Sequence, residues 1–353
     1  MITKEEIRKQ LRDVMHPELE RDIVMLKMVR EIEVHDGAVS VVIALPFKEV
    51  PIREDLARGV REALGQLDDA LDVRVSLVEM GQQERAVFLA QAEAKPPSAQ
   101  AVNKISHVIA VLSGKGGVGK SSVAALLAVA LQRRGMSVGV LDADITGPSQ
   151  PTMFGLHENP LMSPLGIRPV ETGNGIKVMS INLMLPTEDQ AVVWRGPMIS
   201  KAIKQFWNDV VWGELDYLVV DLPPGTSDAS LTVMQAIPLS GVVLVTSPQD
   251  LAGMVVRKAA GMVRKLKAPI LGLVENMSYI TCPDCGSRIE VFGPSQGMAT
   301  AGRLDIEMLG QIPLDPELAL HCDAGRIEAY GAEGFAPIAE KITERGRALK
   351  TFS

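Results

Sequence analysis

The 353-residue sequence contains only three cysteines, and two of them, Cys282 and Cys285, lie close together. Three cysteines cannot build the disulfide framework of a small secreted protein, so in a reducing compartment the close pair indicates metal or redox chemistry. A basic excess is also missing, since 36 Lys and Arg residues stand against 43 Asp and Glu residues, giving a net charge of −7. This balance disfavours a protein that binds nucleic acid by neutralising its phosphates.

Long apolar runs and a secretory signal are absent as well. The longest apolar run, which contains residues 124–131, is far shorter than the roughly 20 residues that span a bilayer. The N-terminus carries charges from Lys4 onward and lacks the apolar stretch of a signal peptide. The sequence therefore predicts a soluble, cytoplasmic protein that binds neither membrane nor nucleic acid.

The first 91 residues predict a small α+β domain. Thr3 and Glu6 match a capping box, and Ile7 opens a helical apolar pattern. A β-rich run at 39–45 follows Asp36-Gly37, which suits a hairpin turn, and residues 71–77 alternate as in a half-buried strand. Residues 92–104 contain Pro96-Pro97 and predict a semi-rigid linker to a second domain, residues 105–353.

The second domain repeats short apolar runs that alternate with helical stretches. The runs cover residues 108–112, 138–141, 217–220, 242–245 and 270–274, and the helical stretches include 122–133 and 251–266. Continuous Val, Ile and Leu runs indicate strands buried on both faces. The fold class expected is therefore α/β, with a mostly parallel, doubly wound sheet wrapped by helices.

A phosphate-binding loop follows the first of these runs. Residues 114–121 fit the pattern G-x-x-x-x-G-K-[ST] without a mismatch, and Ser122 follows directly. The loop consists of Gly114, Lys115, Gly116, Gly117, Val118, Gly119, Lys120 and Ser121. Backbone N–H groups of such a loop converge on phosphates, Lys120 would hold the β and γ phosphates, and Ser121 would ligate Mg²⁺. The domain is thus predicted to be a P-loop NTPase that binds ATP.

Three acidic residues follow the ends of two other predicted strands. Asp142 and Asp144 come after the run 138–141, and Asp221 comes after 217–220. Ligands of open parallel sheets bind at the carboxyl ends of the strands, so we expect Asp221 to be the Walker B acid and Asp142 to support Mg²⁺-bound waters. Carboxylates also cap strand ends and turns, an alternative that fits Asp142 best.

The cysteine pair, Cys282-Pro283-Asp284-Cys285, supplies half of a tetrahedral ligand set. Since Cys322 lies about 37 residues further on and the five histidines show no ligand spacing, a four-thiolate site is most simply built by two chains across a two-fold axis. Zinc and an iron–sulfur cluster both suit four thiolates, and a redox pair or a structural turn are further readings. Lone Cys322 is expected to be a small core residue.

With Lys115 at its second position, the loop resembles that of the deviant Walker A ATPases. The resemblance implies that Lys115 reaches across a homodimer to the partner's nucleotide, that Asp144 orients or activates the attacking water, and that Asn276 reads the adenine edge. Lys115, Lys120 and Asp144 are then the catalytic residues.

The motifs together are similar to those of the Mrp (ApbC) family of iron–sulfur cluster carriers, over roughly residues 105–340. They are GKGGVGKSS, DADITGPSQP, WRGPM at 194–198, DLPPGTSD, ENMSYITCPDCG and QIPLDP. The resemblance implies a homodimer that holds a labile cluster, expected to be 4Fe–4S, between paired Cys282 and Cys285. Apo iron–sulfur proteins would be the acceptors, and scaffold or donor proteins the other partners.

The N-terminal domain resembles a small metal–sulfur cluster assembly domain through the stretch around His16-Pro17 and Asp22-Ile23. Where that domain usually has Cys-Pro, this chain has Val50-Pro51, and no cysteine precedes Cys282. The domain is therefore expected to act in docking or regulation.

Two other classes share parts of this pattern. A positioning ATPase has the same loop but needs a surface anchor, and the C-terminal stretch 337–350 is a mixed-charge helix with few bulky apolar residues. An ATP-dependent electron donor resembling the nitrogenase iron protein also bridges a cluster across a dimer, but with separated single cysteines.

Overall fold

The computed structural model describes residues 3–17, 19, 21–35, 38–46, 52–67, 72–93, 99–145, 147–163, 165–185, 196–331 and 333–350. The chain divides into two compact units, Met1–Pro96 and Pro97–Ser353. The Asp36-Gly37 turn, Leu71, Val50-Pro51, Pro96-Pro97 and Trp194-Arg195 lie outside the described residues.

The first unit packs helices against a three-stranded sheet. Its elements are α1 (Lys4–Gln10), a 3₁₀ turn (Leu11–Asp13), β1 (Val29–His35), β2 (Ala38–Leu45), α2 (Arg53–Gly65), β3 (Asp72–Glu79) and α3 (Gln82–Glu93). Strand β2 lies in the middle, antiparallel to β1 and parallel to β3. The capping box is confirmed, because Thr3 accepts from the Glu6 N–H while the Glu6 carboxylate accepts from the Thr3 N–H.

The second unit contains the larger set of elements. Up to α7 these are α4 (Ala99–Val102), β4 (Lys104–Ser113), α5 (Lys120–Arg133), β5 (Val138–Asp142), α6 (Gln150–Phe154), β6 (Leu161–Ser163), β7 (Gly166–Arg168), β8 (Val170–Glu171), β9 (Lys177–Met179) and α7 (Gly196–Asp209). They continue with β10 (Glu214–Asp221), α8 (Asp228–Ala236), β11 (Gly241–Thr246), α9 (Asp250–Lys265), β12 (Ile270–Glu275), β13 (Ile280–Thr281), β14 (Arg288–Ile289), α10 (Gly297–Leu304), β15 (Met308–Gln311), α11 (Pro316–Asp323) and α12 (Ala336–Lys350). Short 3₁₀ turns cover Ile181–Met184, Ile327–Ala329 and Glu333–Phe335.

Eight of these strands form one sheet in the order β15-β12-β11-β4-β10-β5-β9-β8. All neighbours are parallel except the edge strand β8, which is antiparallel to β9. Each of the five predicted apolar runs lies within one of these strands, so the expected mostly parallel sheet is confirmed. Helix α5 begins at Lys120, two residues before the predicted start, because the phosphate loop leads directly into its first turn.

Both faces of the sheet are covered, as the doubly wound arrangement requires. Along β4, Ile109 and Val111 join a buried cluster with α5 and α12, whereas Val108, Ala110 and Leu112 join a second cluster with α7, α8 and α9. A strand whose alternate side chains enter two cores has no solvent-facing side, which explains its continuous apolar sequence. Among the described residues, no helix is long and apolar enough to cross a membrane.

Candidate functional site

The phosphate loop connects the carboxyl end of β4 to the amino end of α5. Gly117 and Gly119 have φ of +79° and +74°, a region that disfavours other residues. A Cβ on Gly114 would lie 2.5 Å from the backbone of α9 at Val255, so only glycine allows this approach. The 14-residue helix α5 presents its positive amino end to the loop, which favours an anion there.

Lys120 brings the predicted acidic residues together. Its side chain is 6% exposed, and its Nζ donates to Asp221 Oδ1 and lies 3.8 Å from Asp144 Oδ2. The same Nζ donates to the Ser121 hydroxyl at 3.2 Å. Residues predicted from three separate stretches of sequence thus meet around one amine, at the carboxyl edge of the sheet where ligands of this fold class bind.

Asp142 is fully buried at the end of β5. Its Oδ2 accepts from the backbone N–H groups of Ser149 at 2.9 Å and Gln150 at 3.0 Å. Burial, followed by the nearby Asp221 carboxylate, raises the pKa of Asp142 to about 7, against the opposing effects of the Gln150 N–H and the Lys120 charge. Asp142 therefore holds the backbone at the start of α6 and interacts electrostatically with both Lys120 and Asp221.

Gln150 is a site residue that the sequence did not single out. It is fully buried at the start of α6, and its Nε2 donates to Asp221 Oδ2 at 2.9 Å and to the Ser121 backbone oxygen at 3.0 Å. Within the described part of the chain, its Oε1 has no hydrogen-bond partner. An uncharged residue in the stretch DADITGPSQP gave no signal of its own, since its contacts depend on α6 folding back onto the phosphate loop.

Lys115, within the phosphate loop, and Asn276, beside it, each make a side-chain hydrogen bond. Lys115 Nζ donates to Gln249 Oε1 at 2.5 Å. Asn276 Nδ2 donates to the backbone oxygen of Val118 at 3.0 Å and overlaps the position that a Cβ on Gly119 would occupy. The expected roles of Lys115 across a dimer and of Asn276 at the adenine remain predictions.

The loop that follows Asp221 also contacts the phosphate loop. Its Gly225 has φ of +80°, and the Gly225 N–H donates to the backbone oxygen of Ser113 at 2.8 Å. Ser227 caps α8 by accepting from the Ser230 N–H. The Gly225 contact places this loop beside Ser113, the residue that directly precedes the phosphate loop.

The cysteine pair lies in a small hairpin formed by β13 and β14. The Cys282 N–H donates to the Ser287 oxygen, and the Gly286 N–H donates back to the Cys282 oxygen, both at 2.9 Å. Cys285 is exposed, and its Sγ lies 3.1 Å from the Ser287 hydroxyl. The Ser287 hydroxyl and N–H, followed by the Cys282 thiol, lower the pKa of Cys285, which favours the thiolate that binds metal.

The described residues bring no third ligand to this hairpin. They contain no group of three or more His, Cys, Asp or Glu side chains able to hold a metal ion. Cys322 is elsewhere, buried in the cluster that contains α5, and burial raises its pKa. The donor set that one chain offers is therefore two thiols, of which one is exposed.

Two family models match the chain. Residues 104–345 match the model described as NUBPL iron-transfer P-loop NTPase, and residues 4–77 match that of an iron–sulfur cluster assembly protein. The chain is 46% identical over 269 residues to the iron–sulfur cluster carrier protein of Methanocaldococcus jannaschii, covering 74% of this chain and 92% of that protein. It is 38% identical over 354 residues to the protein of the same name from Synechocystis sp., covering 97% of each.

Solved structures show the same fold. A nucleotide-binding protein in complex with ADP from Archaeoglobus fulgidus is 45% identical, with a TM-score of 0.60, covering 67% of this chain and 94% of that one. The cell division ATPase MinD of Pyrococcus furiosus has a TM-score of 0.51 at 23% identity, covering 68% and 99%. At that identity the likeness to MinD shows the fold alone, and the P-loop α/β prediction is confirmed.

Proposed function

Because the chain belongs to the family of iron-transfer P-loop NTPases whose curated relatives are named iron–sulfur cluster carrier proteins, we propose that it is an ATP-dependent cluster carrier. The membership confirms the resemblance drawn from the motifs. The cluster is cargo in this proposal: it is held at Cys282 and Cys285 and handed to apo-proteins.

ATP would bind with its phosphates on the loop 114–121. Lys120 would stabilise the β and γ phosphates, and Ser121, Asp142 and Asp221 would hold Mg²⁺, directly or through its waters. The donor set supports this assignment, since a hydroxyl and buried carboxylates are the oxygen ligands that Mg²⁺ prefers. Asp144, whose Oδ2 lies 3.8 Å from Lys120 Nζ, would orient the attacking water.

Hydrolysis is proposed to need a second copy of the chain. Lys115 projects from the loop toward Gln249, rather than toward the carboxylates that Lys120 contacts. A lysine held outside its own chain's acidic cluster is available to a nucleotide on the facing subunit, where it would stabilise the charge that develops on the transferred phosphoryl group.

The cysteine hairpin is the observation that carries the carrier proposal. One chain offers two thiols, and Cys285 is exposed with a lowered pKa. A cubane or a zinc ion needs four such ligands, so a two-fold related pair of hairpins would complete the site. A cluster held between two exposed hairpins is accessible to an acceptor, as transfer requires.

The N-terminal domain is proposed to dock donor, scaffold or acceptor proteins. We take the organisation to be a domain at 1–91, a linker at 92–104 and the ATPase domain at 105–353. The structure describes helix at both ends of that linker, α3 to Glu93 and α4 from Ala99. Since Cys282 is the first cysteine of the chain, the domain contributes no thiolate to the cluster.

Anaerobic reconstitution with iron and sulfide tests the proposal. Wild type is expected to form a brown cluster with about four irons per dimer, and the Cys282→Ala/Cys285→Ala variant is expected to form none. Cys322→Ala is the matched control and should bind the cluster like wild type. Zinc instead of iron in the native protein, or a cluster retained in the double variant, would contradict the carrier proposal.

A further inference from the structure

Glu275, the last residue of β12, is a fully buried carboxylate that accepts four hydrogen bonds. Its Oε2 accepts from the hydroxyls of Ser278 at 2.9 Å and Ser295 at 2.6 Å, and from Gln311 Nε2 at 3.0 Å. Its Oε1 accepts from the backbone N–H of Gln296 at 3.0 Å. A buried carboxylate is tolerated only with such donors, so the five residues are held together as one unit.

Three of these four donors lie at the two ends of the cysteine hairpin. Ser278 precedes the segment 279–294, which contains Cys282 and Cys285, and Ser295 and Gln296 follow it. Gln311 belongs to β15 and ties the same carboxylate to the large sheet. The residues that precede and follow the cysteine hairpin are therefore both bonded to the side chain of Glu275.

Asn276, the residue after Glu275, contacts the phosphate loop. Asn276 donates to the backbone oxygen of Val118, and its amide fills the space where any side chain on Gly119 would lie. The Asn276 N–H is fixed in turn by the backbone oxygen of Thr246 in β11, at 2.8 Å. Met277, between Asn276 and Ser278, has φ of +57°, an uncommon conformation for a residue other than glycine. A backbone held in such a conformation has little freedom to absorb a displacement at Asn276.

We propose that Glu275 is a positioning residue that couples nucleotide binding at the phosphate loop to the cysteine hairpin. A nucleotide that moves the Val118–Gly119 segment moves Asn276, which is wedged against it. Because both ends of the hairpin are bonded to the adjacent carboxylate, Cys282 and Cys285 move with it. This inference rests on the proposed function, since it assumes that the loop binds ATP and that the two cysteines hold the cargo.

Alkylation of the two cysteines in the full-length, cluster-free protein tests the coupling. The rates at Cys282 and Cys285 are measured by peptide mass spectrometry, with and without saturating Mg²⁺ and a non-hydrolysable ATP analogue. Coupling free energies between sites in proteins commonly correspond to about 5- to 150-fold effects. We expect at least about a fivefold change with nucleotide in wild type, and a ratio close to one in Glu275→Gln at unchanged nucleotide affinity. Samples are compared at equal fractions of dimer, so that shielding by a second chain does not differ between them.

The ratio separates coupling from a structural role. The ratio compared is the alkylation rate with nucleotide divided by the rate without it. A variant that merely loosens the hairpin would change the rates with and without nucleotide by the same factor and leave this ratio unchanged. Ser295→Ala removes one of the four donors to Glu275 and should also bring the ratio closer to one. This second variant keeps the test valid if Glu275→Gln fails to fold. Ser163→Ala is the matched control, since the partner of its hydroxyl among the described residues is the Gly166 oxygen in the β6–β7 hairpin, and it should keep the wild-type ratio.

A wild-type ratio of one with nucleotide bound overturns the coupling, as does a full wild-type ratio in Glu275→Gln or, should that variant not fold, in Ser295→Ala. The measurement needs no cluster. Failure of reconstitution in wild type would count against the carrier proposal, and the alkylation ratio would still decide the role of Glu275.

Discussion

The side chain of Gln150 joins the two halves of the nucleotide site, because its Nε2 bonds Asp221 Oδ2 at 2.9 Å and the Ser121 oxygen at 3.0 Å. Asp221 thus has Lys120 on one oxygen and Gln150 on the other. The carboxylate proposed to be the Walker B acid is thus held by a residue from α6, and its orientation depends on that helix.

Gln150→Leu should weaken Mg²⁺-dependent ATP hydrolysis. The substitution keeps the approximate volume but removes the amide donor from a buried oxygen of Asp221, and an unsatisfied buried group costs about 1–3 kcal/mol. We expect the Mg²⁺ concentration for half-maximal ATPase to rise by about 5- to 150-fold. Gln132→Leu is the control, since among the described residues its amide donates to the Asn174 oxygen at the surface, away from the carboxylates. An unchanged Mg²⁺ requirement in Gln150→Leu would refute the role given to this residue.

Asp144→Asn should abolish hydrolysis while ATP still binds. The amide keeps the size of the side chain but cannot take a proton from water, and a positioned base contributes typically about 10²–10⁴-fold. Lys120→Ala should lose hydrolysis and nucleotide affinity together, because Lys120 is also proposed to hold the phosphates. Both variants should bind cluster like wild type, since they leave Cys282 and Cys285 untouched. Wild-type ATPase in either variant would remove that residue from the site.

Mixing Lys115→Ala with Asp144→Asn should restore hydrolysis that neither variant has alone. If Lys115 acts on the nucleotide of the facing subunit, each mixed dimer has one complete site, formed by Asp144 of one chain and Lys115 of the other. Random pairing of equal amounts gives about a quarter of the wild-type rate. A mixture as inactive as its components would show that Lys115 acts within its own chain or not at all.

Asp142 should make the Mg²⁺-free protein less stable as the pH rises toward 7. Its pKa of about 7 in the fold lies above the ordinary Asp value of about 3.9, so between these values the folded state binds more protons than the unfolded state. The free energy of unfolding therefore falls across this window, by on the order of a few kcal/mol. Asp142→Asn should flatten that fall.

Urea unfolding in EDTA at pH 5 and pH 7.5 measures this effect. Tryptophan fluorescence reports on the ATPase domain, since Trp194, Trp207 and Trp212 are the three tryptophans of the chain. Asp305→Asn, an exposed position at the end of α10, is the control and should retain the wild-type pH dependence. If the free energy of unfolding fell equally in Asp142→Asn and wild type, other titrating groups would account for the pH dependence.

The sheet and the phosphate loop could be predicted because their signals are local. A parallel strand buried on both faces reads as an apolar run, and residues 114–121 carry their chemistry in the spacing of glycines, a lysine and a serine. The acidic residues followed from the rule that ligands bind at the carboxyl ends of such strands. That rule alone assigns Asp142, Asp144 and Asp221 to one edge of the sheet, and they lie there in the fold.

Long-range contacts could not be predicted in the same way. The antiparallel edge strand β8 and the short hairpin β6–β7 have two or three residues in each strand, too few for a periodic pattern. Gln150 and Glu275 lie within the motifs DADITGPSQP and ENMSYITCPDCG, yet their roles depend on which side chains the fold brings to them. Glu275 in particular gathers donors from residues 278, 295, 296 and 311, a convergence that only the tertiary structure reveals.

Cluster transfer to an apo-protein tests the central claim most directly. The reconstituted protein is mixed anaerobically with an apo 4Fe–4S protein in the presence of an iron chelator, and the acceptor's activity and the chelator's colour are followed together. A carrier is predicted to restore the acceptor while the chelator stays uncoloured, because the cluster passes between proteins without release. Restoration that the chelator abolishes, or an acceptor that stays inactive beside an intact dimer cluster, would contradict the account.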